Sequence, residues 1–258
     1  MDINVHRQLF IVGGATSGFG EAIAKALLSE GAEVIAIARG KDRLAELENK
    51  FKDQVTIVCT DVTQPGSGEE IMQATRGRQV HGALINAGGP PAMGALEASL
   101  DDWDTAYKTV VRWKIDLVGK LLPSMIQHQY GRLLFIESAA VKQPIENLVL
   151  SNSMRLAVVG WIKTLSQEVA RKGITLNILA PGSHATPAIN RLINKKAEQT
   201  GRSVEEAKSQ HMDQTGVGFF GDATDLAGLA LWLLSPQSRF VTGQTISVDG
   251  GTIKGVMG

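Results

Sequence analysis

Leu9-Phe10-Ile11-Val12-Gly13-Gly14-Ala15-Thr16-Ser17-Gly18-Phe19-Gly20, followed by Glu21-Ala22-Ile23-Ala24, is the stretch on which the architecture turns. Its four leading apolar residues read as a buried strand, and the pattern after Gly20 reads as a helix. Between them the glycines permit a sharp turn and a close backbone approach to a ligand, and the helix start offers free N–H groups to phosphate oxygens. The spacing Gly14-x-x-x-Gly18-x-Gly20 differs from the usual dinucleotide fingerprint G-x-G-x-x-G. Its place directly after the first strand therefore carries much of the argument.

Working outward, short β-like runs alternate with longer helical patterns. Strands are predicted at 9–12, 34–38, 55–59, 83–85, 132–136, 175–179 and 245–248, with helices at 20–29, 42–51, 100–128 and 151–172 among others. In the last of these Met154, Val158, Trp161, Leu165 and Val169 recur at helical spacing, and Gly173 closes it behind Arg171 and Lys172. Alternation of this kind implies α/β architecture: a Rossmann-like, doubly wound parallel sheet of about seven strands with helices on both faces. The chain reads as a single domain over 1–258. Residues 186–216 break the rhythm with two polar helical patterns and are expected to form a lid over the active site.

Composition narrows the class. The 258 residues are 43% hydrophobic and 20% charged, an ordinary balance for a globular protein, and 26 basic residues match 26 acidic ones. Zero formal charge argues against nucleic acid or an anionic membrane as partner. Cys59 is the single cysteine, so neither an intrachain disulfide nor a cysteine metal site is expected, and its place at the end of a strand predicts a buried thiol. The first residues lack an apolar leader core and the longest apolar run, 227–234, is too short to span a bilayer. A cytoplasmic enzyme acting on a small molecule is the expectation.

Several further motifs occur in a fixed order: Asp61-Val62, Asn86-Ala87-Gly88, Ser138, Pro181-Gly182 with Thr186, and Val248-Asp249-Gly250-Gly251. With the glycine loop they make the chain resemble the short-chain dehydrogenase/reductase family over essentially its full length. It is similar to bacterial 3-oxoacyl-carrier-protein reductases, for instance in Lys163-Thr164-Leu165-Ser166-Gln167-Glu168-Val169-Ala170. The resemblance implies a nicotinamide dinucleotide held by Gly14, Ser17, Gly18, Phe19 and Gly20, with Asp61 and Val62 at the adenine. Asn86, Ala87 and Gly88 would bound the nicotinamide ribose, while Pro181, Gly182 and Thr186 would seat the nicotinamide and phosphates. It also implies a homodimer or homotetramer, for which Trp103, Trp113 and Trp161 are candidate anchors.

Cofactor choice rests on the end of the second strand. A carboxylate there would bind the ribose 2′-hydroxyl and repel a 2′-phosphate, but this chain has Ala38 followed by Arg39, with Lys41 close behind. Arg39 can pair bidentately with a phosphate, which favours NADP(H) over NAD(H).

The catalytic end departs from the family. The resemblance places the family's serine on Ser138, its tyrosine acid on Ser151, its lysine on Arg155 and its supporting asparagine on Val110, so Ser151-Asn152-Ser153-Met154-Arg155 stands where Tyr-x-x-x-Lys is expected. A serine hydroxyl is shorter and far less acidic than a phenol, so Ser151 does not replace it as an acid without a bridging water. A helix N-cap is the plainer role for Ser151. Arg155, four residues on and on the same helix face, can bind ribose hydroxyls and supply positive charge but does not titrate. Tyr107 and Tyr130 are poorly placed to substitute, whereas His184 and Lys142 lie in loops that face the site. Three readings follow: a carbonyl or alcohol oxidoreductase with a rewired proton route, a conjugate reductase of an activated C=C bond, and a cofactor-binding pseudoenzyme.

Overall fold

The computed structural model describes residues 3–256, with the side chains at positions 187, 188, 191, 195 and 199 outside that description. In chain order the elements are β1 (Leu9–Gly13), α1 (Gly18–Ser29), β2 (Glu33–Ala38), α2 (Lys41–Phe51), β3 (Val55–Cys59), α3 (Ser67–Ala74) and β4 (Gly82–Ile85). There follow α4 (Leu100–Ala106), α5 (Trp113–His128), β5 (Gly131–Ile136), α6 (Val149–Val169), β6 (Ile174–Pro181), α7 (Pro187–Thr200), α8 (Val204–Met212), α9 (Ala223–Leu234) and β7 (Thr245–Val248). The strands form one parallel sheet in the order β3-β2-β1-β4-β5-β6-β7. This is the doubly wound, Rossmann-like arrangement expected from the strand–helix alternation. Strand order reverses between β1 and β4, the place where such sheets open a crevice at their carboxyl ends.

Alternate residues of each strand supply opposite layers. Phe10 and Val12 of β1 pack with Ile23 and Leu27 of α1 and with Leu226 and Leu233 of α9. Leu9 and Ile11 face the other way, toward Leu117 and Leu121 of α5 and Val158 and Ile162 of α6. Each fully buried large aliphatic contributes about 1.5–3 kcal/mol, so the two layers hold the strand ends firmly in place. The right-hand edge is fastened by polar bonds: Asn177, buried in β6, donates to the Val241 carbonyl at 2.8 Å and accepts from the Gln244 N–H at 3.1 Å.

Four expectations are corrected. The helix expected across 100–128 is interrupted by a π-helical turn at Tyr107–Arg112, where an extra residue per turn shifts the register of everything after it. Cys59 is exposed, because it ends β3, an edge strand of the sheet. Trp113 is buried, its indole N–H donating to the Thr109 carbonyl at 2.9 Å, so it anchors the core and not a subunit contact. Ser151 is not a helix cap: α6 begins at Val149 behind Leu148, and Ser151 is buried within the first turn. No helix among the described residues is long and apolar enough to cross a membrane.

Candidate active site

Because every strand is parallel, the loops after β1, β2, β3, β4, β5 and β6 all leave the same edge of the sheet. The loop after β1 turns at Gly14 and Gly18, both with positive φ (67° and 54°), and α1 then starts with Ser17 as an exposed N-cap whose hydroxyl makes no capping bond. Gly20 admits no side chain: a Cβ there would stand 2.3 Å from the Gly14 carbonyl oxygen. The result is a tight bare-backbone loop against a helix start, with unpaired N–H groups suited to a diphosphate.

Neighbouring loops brace this one. Asn86, just past β4, donates to the Gly13 carbonyl at 3.2 Å, so part of its role is to hold the glycine loop itself. Phe19 meets His184 edge-on, ring centroids 5.0 Å apart, and Gly18 lies against Thr186, which is buried. Pro181 ends β6, and Gly182 leaves no room for a Cβ, which would come within 2.7 Å of the Asp249 side chain. At the other side Arg39 is exposed just after β2, and Arg43 of α2 reaches back toward the Thr16 carbonyl at 3.4 Å. Past β3, Asp61 accepts the Thr63 N–H at 3.0 Å and the Thr63 hydroxyl at 2.8 Å on the same oxygen. The Thr63 N–H does most to hold the Asp61 carboxyl below the usual range, its hydroxyl and the Arg39 charge add to this, and partial burial opposes it. Val62 is buried beside it, while Ala87 and Gly88 continue the loop from Asn86.

The chemical end is built from β5 and α6. Ser138 follows β5 and its Oγ accepts the Ala140 N–H at 3.1 Å, which fixes the oxygen and leaves the hydroxyl hydrogen available to a ligand. The loop beyond it is stitched down twice. Asn152 of α6 clasps Ile145 through both its side-chain oxygen and nitrogen (3.3 and 2.9 Å), and Leu148 forms a parallel bridge with Met93 from the loop after β4.

Arg155 occupies the centre of this region. Its Nε donates to Ser151 Oγ at 3.1 Å, and its Nη1 donates to Glu137 Oε2 at 2.8 Å. Its Nη2 lies over Gly89, where a Cβ would stand only 2.9 Å away, so the guanidinium reaches the loop that begins at Asn86-Ala87-Gly88. Glu137 carries a second cation: Lys114 of α5 donates to Oε1 at 2.5 Å. The side chains of Glu137 and Lys114 are 0% and 4% exposed and that of Arg155 is 11% exposed, so three charges meet almost out of water.

Neither Glu137 nor Lys114 stands out on sequence reasoning alone. The available signal was a carboxylate ending the apolar run Leu133-Leu134-Phe135-Ile136, and a lysine one turn beyond Val110 on the same helix. The other candidates have different surroundings. His184 is buried beside Phe19 of the glycine loop, with Nδ1 donating to the Gly182 carbonyl at 3.2 Å. Tyr130 sits at the opposite sheet edge beneath Arg132, where burial raises its pKa, and Tyr107 is exposed on the π-helical turn. Val110 is buried in the core layer.

The fold and this crevice together define a nucleotide-dependent oxidoreductase architecture. The sequence model of a family described as "Enoyl-(Acyl carrier protein) reductase" matches residues 14–252. The chain belongs to the short-chain dehydrogenase/reductase family. It is 27% identical over 255 residues to the rat "Dehydrogenase/reductase SDR family member 6", covering 95% of this chain and 96% of that protein. It is 27% identical over 251 residues to the 3-oxoacyl-[acyl-carrier-protein] reductase FabG of Rickettsia prowazekii (97% and 99% covered). Among solved structures, L-sorbose reductase from Gluconobacter frateurii, in complex with NADPH and L-sorbose, superposes with a TM-score of 0.92 at 26% identity, covering 99% of this chain and 100% of that one. YwfH, an NADPH-dependent reductase involved in bacilysin biosynthesis, has the same fold, with a TM-score of 0.91 at 24% identity and 97% and 100% coverage.

Proposed function

We propose that the protein is an NADP(H)-dependent oxidoreductase that reduces a carbonyl group, or oxidises the matching alcohol, without a tyrosine acid. The observation that carries this reading is the placement of Arg155: clamped by Ser151 and Glu137, it holds its remaining nitrogen over Gly89, beside the loop that bounds the nicotinamide ribose in the family. The glycine loop, the free start of α1 and the exposed Arg39 with no carboxylate at Ala38 fit the diphosphate and a 2′-phosphate. Bound there, the dinucleotide supplies or accepts hydride. Ser138 donates to the substrate oxygen, and Arg155 stabilises negative charge on it while also binding ribose hydroxyls. Neither group is an acid at neutral pH, so the proton comes from water admitted to the site. The helices α7 and α8 carry their own small apolar cluster of Ile189, Ile193, Ala197 and Ala207 with Phe220, which suits a lid moving as a unit.

Conjugate reduction of an activated C=C bond is the second reading. It is favoured by the engagement of Ser151 with Arg155, which leaves an anion-stabilising pair and no phenol to protonate an alkoxide. Solvent can protonate the α-carbon of an enolate, so such a site would suffice. Incubating ketones and enones with NADPH deuterated at the transferred position separates the two: deuterium on a carbinol carbon supports carbonyl reduction, and deuterium β to a retained carbonyl supports conjugate reduction. NADPH binding with no transfer to any member of the panel would instead support a cofactor-binding pseudoenzyme.

A further inference from the structure

Glu137 is a carboxylate with no exposed side-chain surface, and each of its oxygens is taken by a different cation: Oε1 by Lys114 at 2.5 Å, Oε2 by Arg155 at 2.8 Å. As a way to build a core this is poor, because burying ions costs about as much as their attraction returns and an apolar trio would pack as well. The three come from separate elements. Lys114 comes from the start of α5, immediately after the π-helical turn that sets its register; Glu137 follows β5 directly before Ser138; Arg155 comes from α6. They continue through Arg155 Nε to Ser151 Oγ at 3.1 Å, so one hydrogen-bonded line runs from the interior of α5 to the residue in the family's tyrosine position.

We propose that Glu137 and Lys114 are positioning residues for Arg155: Glu137 fixes the guanidinium over Gly89, and Lys114 offsets the charge of Glu137 so that the positive charge of Arg155 is left uncompensated for the dinucleotide. This rests on the cofactor reading above. Without the lysine charge, Glu137 and Arg155 form a closed neutral pair, and the crevice loses its attraction for an anionic ligand. With it, the buried unit carries a net charge of one positive unit, the sum of two cations and one carboxylate. Among the described residues, Glu137 and Arg155 are the charged groups acting on Lys114: burial lowers the lysine's pKa from its ordinary 10.5, Arg155 lowers it further, and Glu137 opposes both. The net charge is accordingly present at low pH and disappears as pH rises through a lysine pKa below 10.5.

NADPH titrations, followed by nicotinamide fluorescence from about pH 7 to about pH 10, test this on the full chain without a known substrate. The unmodified protein should lose affinity by about tenfold as pH rises through the lowered lysine pKa, the scale of one nearby charge in a partly buried site. Lys114→Met, which fits the buried space and leaves the Glu137–Arg155 pair intact, should show the weaker affinity throughout and a flat profile in that window. Lys114→Arg should restore the tighter binding and keep it at high pH, because arginine does not titrate there. Glu137→Gln leaves two cations facing each other and confounds folding with binding, so the lysine pair decides the matter. Identical affinities and profiles in the unmodified protein and Lys114→Met would overturn the role of Lys114 while leaving the cofactor reading standing. Absence of NADPH binding in the unmodified protein at every pH would overturn both.

Discussion

At the scale of single residues, the proposed site has a fixed charge where the family has an acid. Ser151 lends its oxygen to Arg155 at 3.1 Å and is too short and too weakly acidic to serve as donor to a substrate. Ser151→Ala should therefore keep most of the turnover. Ser138→Ala should lower turnover on the order of a hundredfold, because it removes the hydroxyl aimed at the developing oxyanion. Steady-state kinetics on whichever substrate accepts labelled hydride checks both, and the opposite pattern would place the proton transfer on Ser151. Cofactor choice also resolves at residue scale. Arg39→Ala should abolish a preference for NADPH over NADH in binding titrations, and adding Ala38→Asp should move it toward NADH, since a carboxylate there binds the 2′-hydroxyl and repels the phosphate. Equal affinities in the unmodified protein would contradict the assignment.

At the scale of elements, what was legible in the sequence is what local periodicity and turn chemistry control. The glycine loop with α1, the seven strands and the long α6 follow from apolar spacing and from glycines where the backbone turns. The π-helical turn at Tyr107–Arg112 was not legible, because the pattern on either side is that of one continuous helix. Its consequence, Lys114 directed into the core beside Glu137, was hidden for the same reason: a sequence shows a lysine and a glutamate 23 positions apart but not their 2.5 Å contact. Exposed Cys59 escaped because strand order, and hence which strand is the edge, is a tertiary property. Helix starts offer a test at this scale. Asp222 caps α9, accepting the Thr224 N–H at 2.9 Å and its hydroxyl at 2.8 Å, and the N–H bond does most to hold its pKa below 3.8. A carboxylate with a depressed folded pKa stabilises the fold fully above 3.8 and loses that contribution as pH falls through its folded pKa. Asp222→Asn should keep a cap yet flatten this part of the acid limb of thermal unfolding; an unchanged limb would contradict the capping role.

At the scale of the whole molecule, a parallel sheet brings six loops to one edge, and the residues of the crevice are contributed by elements from Gly14 to Thr186. The exposed apolar side chains Tyr107, Ile115 and Leu156 lie on the outer surfaces of the π-helical turn, α5 and α6, and Phe240 is fully exposed near β7. With Trp113 buried, we propose these exposed side chains as the candidate anchors of a homodimer or homotetramer; sedimentation as a monomer at micromolar concentration would contradict it. The central claim is that Arg155 has taken over the cofactor-binding half of the family's Tyr-x-x-x-Lys pair, so the most direct measurement is calorimetric titration of NADPH into the unmodified protein and into Arg155→Ala. Loss of a charge-assisted hydrogen bond at a partly buried site predicts affinity weaker by about 1.5–3 kcal/mol, or about ten- to a hundred-fold. An Arg155→Ala protein that folds and binds NADPH as tightly as the unmodified one would contradict the account.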